Sequence, residues 1–214
     1  MSEGAGKASG RAGLGGILAA NGVTVLIAMA QDWPLALMLW PFWIQSMIIG
    51  WFSRKRILAL KEFSVEGFKI NGRQAEATPQ TQRETANFLV LHYGAFHAGY
   101  LVFLVAKSPA ISGLDWLLIG ASGVGFWLGH QRSHRLNVDA DTRTKRNIGA
   151  LMFLPYVRIV PMHLVILSGG TGGSSALVML LFGGLKTAAD AFMHVVEHRW
   201  LQGRRPAPAP TDAP

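Results

Sequence analysis

The stretch KTAADAFMHVVEHRW, residues 186–200, places Lys186, Asp190, His194, Glu197 and His198 in a run that is otherwise apolar. Side chains of these types do two kinds of chemistry. Imidazoles and carboxylates hold transition metals, and the same groups beside amines pass protons. On a helix turning about 100° per residue, the five groups fall within a stripe about 120° wide. Ala188, Ala189, Phe192, Val195 and Val196 face elsewhere. His130 and His134, in GHQRSH, repeat the i,i+4 spacing that turns two imidazoles to one side of a helix. His92 and His97 lie in LHYGAFH, and Arg158 and His163 in PYVRIVPMHLVIL. The chain has no cysteine, so a metal would have to be held by histidine, carboxylate or carbonyl.

The elements that must position these groups are apolar and long. Half of the 214 residues are hydrophobic, 15% are charged, and the mean hydropathy is positive. A soluble domain carries about a quarter charged residues, so the deficit points to lipid as the solvent. About six apolar segments stand near 12–30, 34–52, 87–106, 110–129, 148–167 and 175–197. Each is long enough to cross roughly 30 Å of hydrocarbon as a helix. No alternating pattern argues for a β-barrel, and helices satisfy their own backbone in lipid. The expected fold is therefore all-α, a polytopic membrane bundle of about six transmembrane helices. The first segment follows Lys7 and Arg11 and ends in AMAQ, which imitates a signal peptide; an uncleaved span is the reading adopted.

Charge sets the orientation. All but three of the 20 Lys and Arg lie before the first segment, in connectors 53–86 and 130–147, or after the last segment. Lys107 alone falls on the other side, and Arg158 and Lys186 are within segments. Basic excess marks the cytoplasmic side, which puts both termini in the cytoplasm and the protein in a bacterial inner membrane as a multi-pass chain. It also removes any need for nucleic acid to explain a net charge of +8. The domains expected are a cytoplasmic segment 1–11, one six-span domain 12–198 with the cytoplasmic connector 53–86, and a disordered Pro/Ala-rich tail 199–214. Within the connector, RILALKEFSVEGF predicts an interfacial amphipathic helix, followed by a Pro/Gln/Thr linker.

Orientation converts sequence position into depth. His92, His130, His134, His194 and His198 gather in the cytoplasmic third, whereas His163 falls toward the outer side. Lys186 and Arg158 lie near mid-membrane, where a charge facing lipid costs at least about 2.5–3.5 kcal/mol. The stripe must look into the bundle.

The segments WPFWIQSMIIGWF, LHYGAFHAGYLVFLVA, PYVRIVPMHLVILSGG and LKTAADAFMHVVEH resemble successive parts of a bacterial family of polytopic inner-membrane proteins known only as a domain of unknown function. The resemblance covers most of 34–198 and is most specific in the last two segments. It implies an integral membrane protein and matches polar positions at His92, Tyr93, Arg158, His163, Lys186, Asp190, His194 and His198. It implies no activity. The family often has a glutamate where this chain has Gln45, and an amide cannot ionise, so a proton-carrying role at that position is in doubt.

Three functional readings follow. The first is a metal-dependent oxidoreductase acting on a lipid-soluble substrate. Its ligands would be His92, His130, His134, Asp190, His194 and His198, with Glu197 as bridge or base and Tyr93 as an orienting donor. Iron, zinc, manganese or copper would suit that set; haem b between His92 and His194 is a weaker option. The second is a proton-coupled transporter or channel using Lys186, Asp190 and His194 with Arg158 opposite. The third is a structural subunit, as a homo-oligomer or within a larger membrane complex. There Asp190 would only neutralise Arg158 or Lys186 and fix helix register. All three assume that the segments bearing His92, His130 and His194 converge.

Overall fold

A computed structural model of the chain describes residues 22, 25, 26, 29, 30, 33–142, 145–167 and 176–202. Five long helices account for most of these: α1 (Leu35–Leu58), α2 (Pro79–Lys107), α3 (Gly113–Thr142), α4 (Ile148–Leu167) and α5 (Ala176–Gln202). Of the first expected segment, Gly22, Val25, Leu26, Met29 and Ala30 are helical, and the rest lies outside the described residues. The tail after 202 and the segment 1–21 also lie outside them. Among the described helices, α1, α2 and α4 are long and apolar enough to cross a membrane.

Helix α1 is the hub, packing against α2, α3 and α4, while α4 also packs against α2 and α5. Large side chains on α1 meet each neighbour. Trp40 stands edge-on to Trp116 of α3 at 5.0 Å, and Phe42 to Phe182 of α5 at 5.4 Å. Trp43 Nε1 donates to the His97 carbonyl of α2 at 2.9 Å. The outward surface is apolar, with Leu91, Val102, Leu117, Phe153 and Leu181 all exposed. A girdle of that kind is a liability in water and ordinary in lipid.

The connector between α1 and α2 differs from the expected amphipathic helix. Helix α1 continues through Leu58, and the connector then forms short strands: β1 (Phe63–Ser64), β2 (Lys69–Ile70) and β3 (Arg73–Gln74). Asn71 and Gly72, at φ 51° and 78°, form the two-residue loop joining β2 to β3, with Ile70 opposite Arg73. Positive φ at both loop residues is the geometry whose twist matches that of the strands, and Asn-Gly adopts it most readily. Helix propagation cannot pass such a pair. Strand β1 pairs in parallel with β4 (Arg146–Asn147), which leads into α4. Asn147 ties the two connectors together. Its Oδ1 accepts from the Ala150 N–H and its Nδ2 donates to the Glu66 carbonyl. Nor is the Pro/Gln/Thr stretch a linker. Thr78 caps α2 by accepting from the Thr81 N–H at 3.1 Å, and Pro79 occupies the first turn, where its missing N–H costs nothing.

Candidate functional site

Helix α2 carries the densest set of polar aromatic groups. Tyr93, His97 and Tyr100, at i, i+4 and i+7, lie on one face and are all buried. Tyr93 fits against α1 because position 50 is glycine: a Cβ there would stand 2.8 Å from Tyr93 Cε1. The Tyr93 hydroxyl donates to the Ser46 carbonyl at 3.1 Å. His97 Nδ1 lies 2.9 Å from the Tyr93 carbonyl oxygen. A carbonyl only accepts, so Nδ1 carries the proton and Nε2 presents a bare lone pair. That Nε2 has no hydrogen-bond partner, and neither has the buried Ser46 Oγ.

Helix α4 meets α2 through two Tyr–His pairs. His92 Nδ1 lies 2.9 Å from the Tyr156 hydroxyl, and His163 Nδ1 lies 2.9 Å from the Tyr100 hydroxyl. Both indices rise together, so α2 and α4 run parallel. Phe96 stands nearly perpendicular to both imidazoles, at 5.1 Å from His92 and 5.7 Å from His163. Between the pairs lies an open groove of about 550 Å³ lined by His92, Ala95, Phe96, Gly99, Tyr100, His163 and Ile166.

The ionic cluster sits on α4 and α5. Asp190 Oδ2 accepts from Lys186 Nζ at 2.8 Å, one helical turn away. Asp190 Oδ1 lies 3.6 Å from Arg158 Nη1 across the helix–helix contact. The three side chains are mostly enclosed, and Lys186 Nζ also lies over the Phe42 ring at 5.8 Å.

The expected convergence of histidines divides into separate neighbourhoods. Helices α2 and α3 both pack on α1 but not substantially on each other, so His92 does not meet His130 and His134. His92 is exposed and turns to Tyr156 and Phe88. His130 stacks on Phe126 at 4.4 Å, and both His130 and His134 border Phe52 of α1, at 5.9 and 5.4 Å. The side chains of His194, Glu197 and His198 lie outside the described residues. Among the described residues, no three His, Asp or Glu side chains come together as a metal site.

Sequence reasoning placed His163 away from the polar layer and passed over Ser46, Tyr100 and Tyr156. One signal was available. The chain has only three tyrosines: Tyr100 and Tyr156 pair with histidines across the α2–α4 contact, and the Tyr93 ring stands edge-on to Tyr156 at 5.4 Å.

A model of the family of unknown function DUF6498 matches residues 4–207, and the chain belongs to that family. No curated protein and no solved structure matches it.

Proposed function

We propose that this member of a family of unknown function is a multi-pass protein of the bacterial inner membrane, with six spans and both termini in the cytoplasm, that couples proton binding at Asp190 to transport. Three observations support the topology. Three helices are long and apolar enough to span, two further long helices pack with them, and residues of the first segment are helical. The basic connectors on one side of this arrangement supply the orientation.

One observation carries the transport reading: Asp190 is shared by Lys186 on its own helix and Arg158 on α4. An intramembrane carboxylate between two cations is costly to assemble and marks ion or proton pathways. Its protonation state decides whether α4 and α5 are tied. Ionised, Asp190 holds Arg158 across the helix contact; protonated, it loses most of that attraction. A proton taken up at one carboxyl thereby changes the packing of two helices, which is the coupling a proton-driven carrier needs.

The test is proton entry into proteoliposomes under an inside-negative potassium diffusion potential. Wild-type protein should conduct above protein-free vesicles, and Asp190→Asn should lose that activity while remaining folded. Unchanged entry in Asp190→Asn ends the reading.

A second reading, a transition-metal site, is favoured by one feature: His130 and His134 both border the Phe52 ring, one turn apart on α3. They supply two donors where a site needs at least three. Elemental analysis of the purified protein decides it, and less than about a tenth of an equivalent of metal rejects it.

A further inference from the structure

We propose that a water-filled proton path runs along the buried face of α2, with His97 as the group that takes up and returns the proton beside Ser46. The inference rests on the reading of Asp190 as a proton site and adds the route that reaches it.

The carrying observation is a pair of orphaned polar atoms. His97 and Ser46 are completely enclosed, yet His97 Nε2 and Ser46 Oγ have no hydrogen-bond partner. A buried polar atom left unmatched costs about 1–3 kcal/mol, so such atoms are normally satisfied by protein or by ordered water. These two stand at one level of the α1–α2 contact. Trp43 reaches the His97 carbonyl and Gly50 abuts the Tyr93 ring, which places Ser46 between those two positions. Tyr93 touches both partners, through its hydroxyl to the Ser46 carbonyl and its own carbonyl to His97 Nδ1.

Ser46 has a way out that it does not take. A helical Ser or Thr can satisfy its hydroxyl on the carbonyl four residues earlier. Thr85 does so with Thr81, and Thr187 with Gly183, both at 2.7 Å. The Ser46 hydroxyl forms no such bond. Water is a partner that can serve both the Ser46 hydroxyl and His97 Nε2.

The tautomer sets the role of His97. With Nδ1–H held on the Tyr93 carbonyl, the bare Nε2 takes a proton from one water, giving imidazolium, and returns it from the same nitrogen to another. No ring flip is needed, and no electrons move. Polar groups flank His97 on both sides. Toward one end of α2 the His97 ring lies 5.5 Å from Tyr100, whose hydroxyl meets His163 at the groove. Toward the other end it lies 4.3 Å from Tyr93, whose ring stands 5.4 Å from that of Tyr156 on α4, and α4 also carries Arg158, 3.6 Å from Asp190. The ionisable groups around the path are Tyr93 and Tyr100 on α2 and Tyr156, Arg158 and His163 on α4. From α1, Trp43 and Ser46 face it, and neither ionises.

The experiment compares the full-length wild type with Asp190→Asn, His97→Gln and Ser46→Ala in the proteoliposome assay, with melting temperature as a fold control. Glutamine keeps a hydrogen-bonding amide but cannot accept a proton at neutral pH. His97→Gln should slow proton entry at least about tenfold, because a proton carrier and not merely a water ligand is lost. Ser46→Ala should slow it less. Loss in Asp190→Asn with wild-type entry in His97→Gln overturns the path and leaves the Asp190 reading standing; wild-type entry in both overturns both. Should His97→Gln fail to fold, a high-resolution map of the wild type decides. Ordered water within about 3.2 Å of both His97 Nε2 and Ser46 Oγ supports the path, and a dry contact overturns it.

Discussion

Removing the Asp190 charge should cost more stability than removing the Arg158 charge, and the two effects should not add. In Asp190→Asn both Lys186 and Arg158 lose the negative charge they share, and one amide oxygen remains to accept. In Arg158→Gln, Asp190 keeps Lys186 at 2.8 Å. Stranding charge in a low-dielectric interior costs about 3–5 kcal/mol, which is the range expected for Asp190→Asn. The pairwise term is smaller. At an effective dielectric constant of about 20, opposite charges separated by the 3.6 Å of the Arg158–Asp190 contact attract by roughly 4–5 kcal/mol. Both side chains retain some exposure, 20% and 16%, and part of the attraction is spent against desolvation. A coupling of about 1–3 kcal/mol remains. Arg158 engages Oδ1 and Lys186 engages Oδ2, so the cycle built from Asp190→Asn, Arg158→Gln and the double variant reads chiefly the interhelical contact. Denaturant melts in mild detergent, followed by the fluorescence of the seven tryptophans, supply the free energies. A coupling below about 0.5 kcal/mol, or Arg158→Gln costing more than Asp190→Asn, would refute the idea that this carboxylate ties α4 to α5.

Other outcomes can be checked with simple variants. Gly50→Ala puts a Cβ 2.8 Å from the Tyr93 ring and should destabilise by about 1–3 kcal/mol, measured in the same melts. Gly72→Ala, at φ 78° in the β2–β3 loop, should cost about 1 kcal/mol while leaving proton entry intact, since the hairpin leads into the start of α2 at Pro79, about 27 Å of helix from His97. Because the chain has no cysteine, Ala110→Cys and Asn71→Cys give clean topology reporters. An impermeant maleimide added to spheroplasts should label position 110 and spare position 71; the reverse pattern inverts the orientation. Tyr100→Phe removes the hydroxyl that His163 meets and should slow proton entry, whereas Phe153→Leu on the exposed surface should not.

Helix existence was legible from the sequence because apolar length alone specifies it. The segments near 34–52, 87–106 and 148–167 lie within α1, α2 and α4, each long enough to span. The connector was misread for a local reason. The apolar rhythm of RILALKEFSVEGF outweighed the Asn71-Gly72 pair, although Asn-Gly between short extended runs is a strong hairpin signal. Thr78-Pro79 likewise reads as a helix start once the capping chemistry is applied. The grouping of the histidines was not legible in the same way. Which helix neighbours which is absent from a single hydropathy pattern, and it depends on α1 standing between α2 and α3. Depth placed His92, His130 and His134 in one layer; lateral position separated them.

The spacing of polar residues on α4 gives the pieces a common mechanical sense. Tyr156 and His163 are seven residues apart, about 20° short of two full turns, and so share the face that meets His92 and Tyr100. Arg158 follows Tyr156 by about 200°, which turns it to the opposite side, where Asp190 lies. Helix α4 is thus held on one side by the Arg158–Asp190 ion pair and on the other by two Tyr–His hydrogen bonds. In the mechanism proposed above, a proton on Asp190 would release the ion pair while the contacts of α4 with α1 and α2 remain. Any displacement of α4 would then pivot on those contacts and change the enclosure of Arg158.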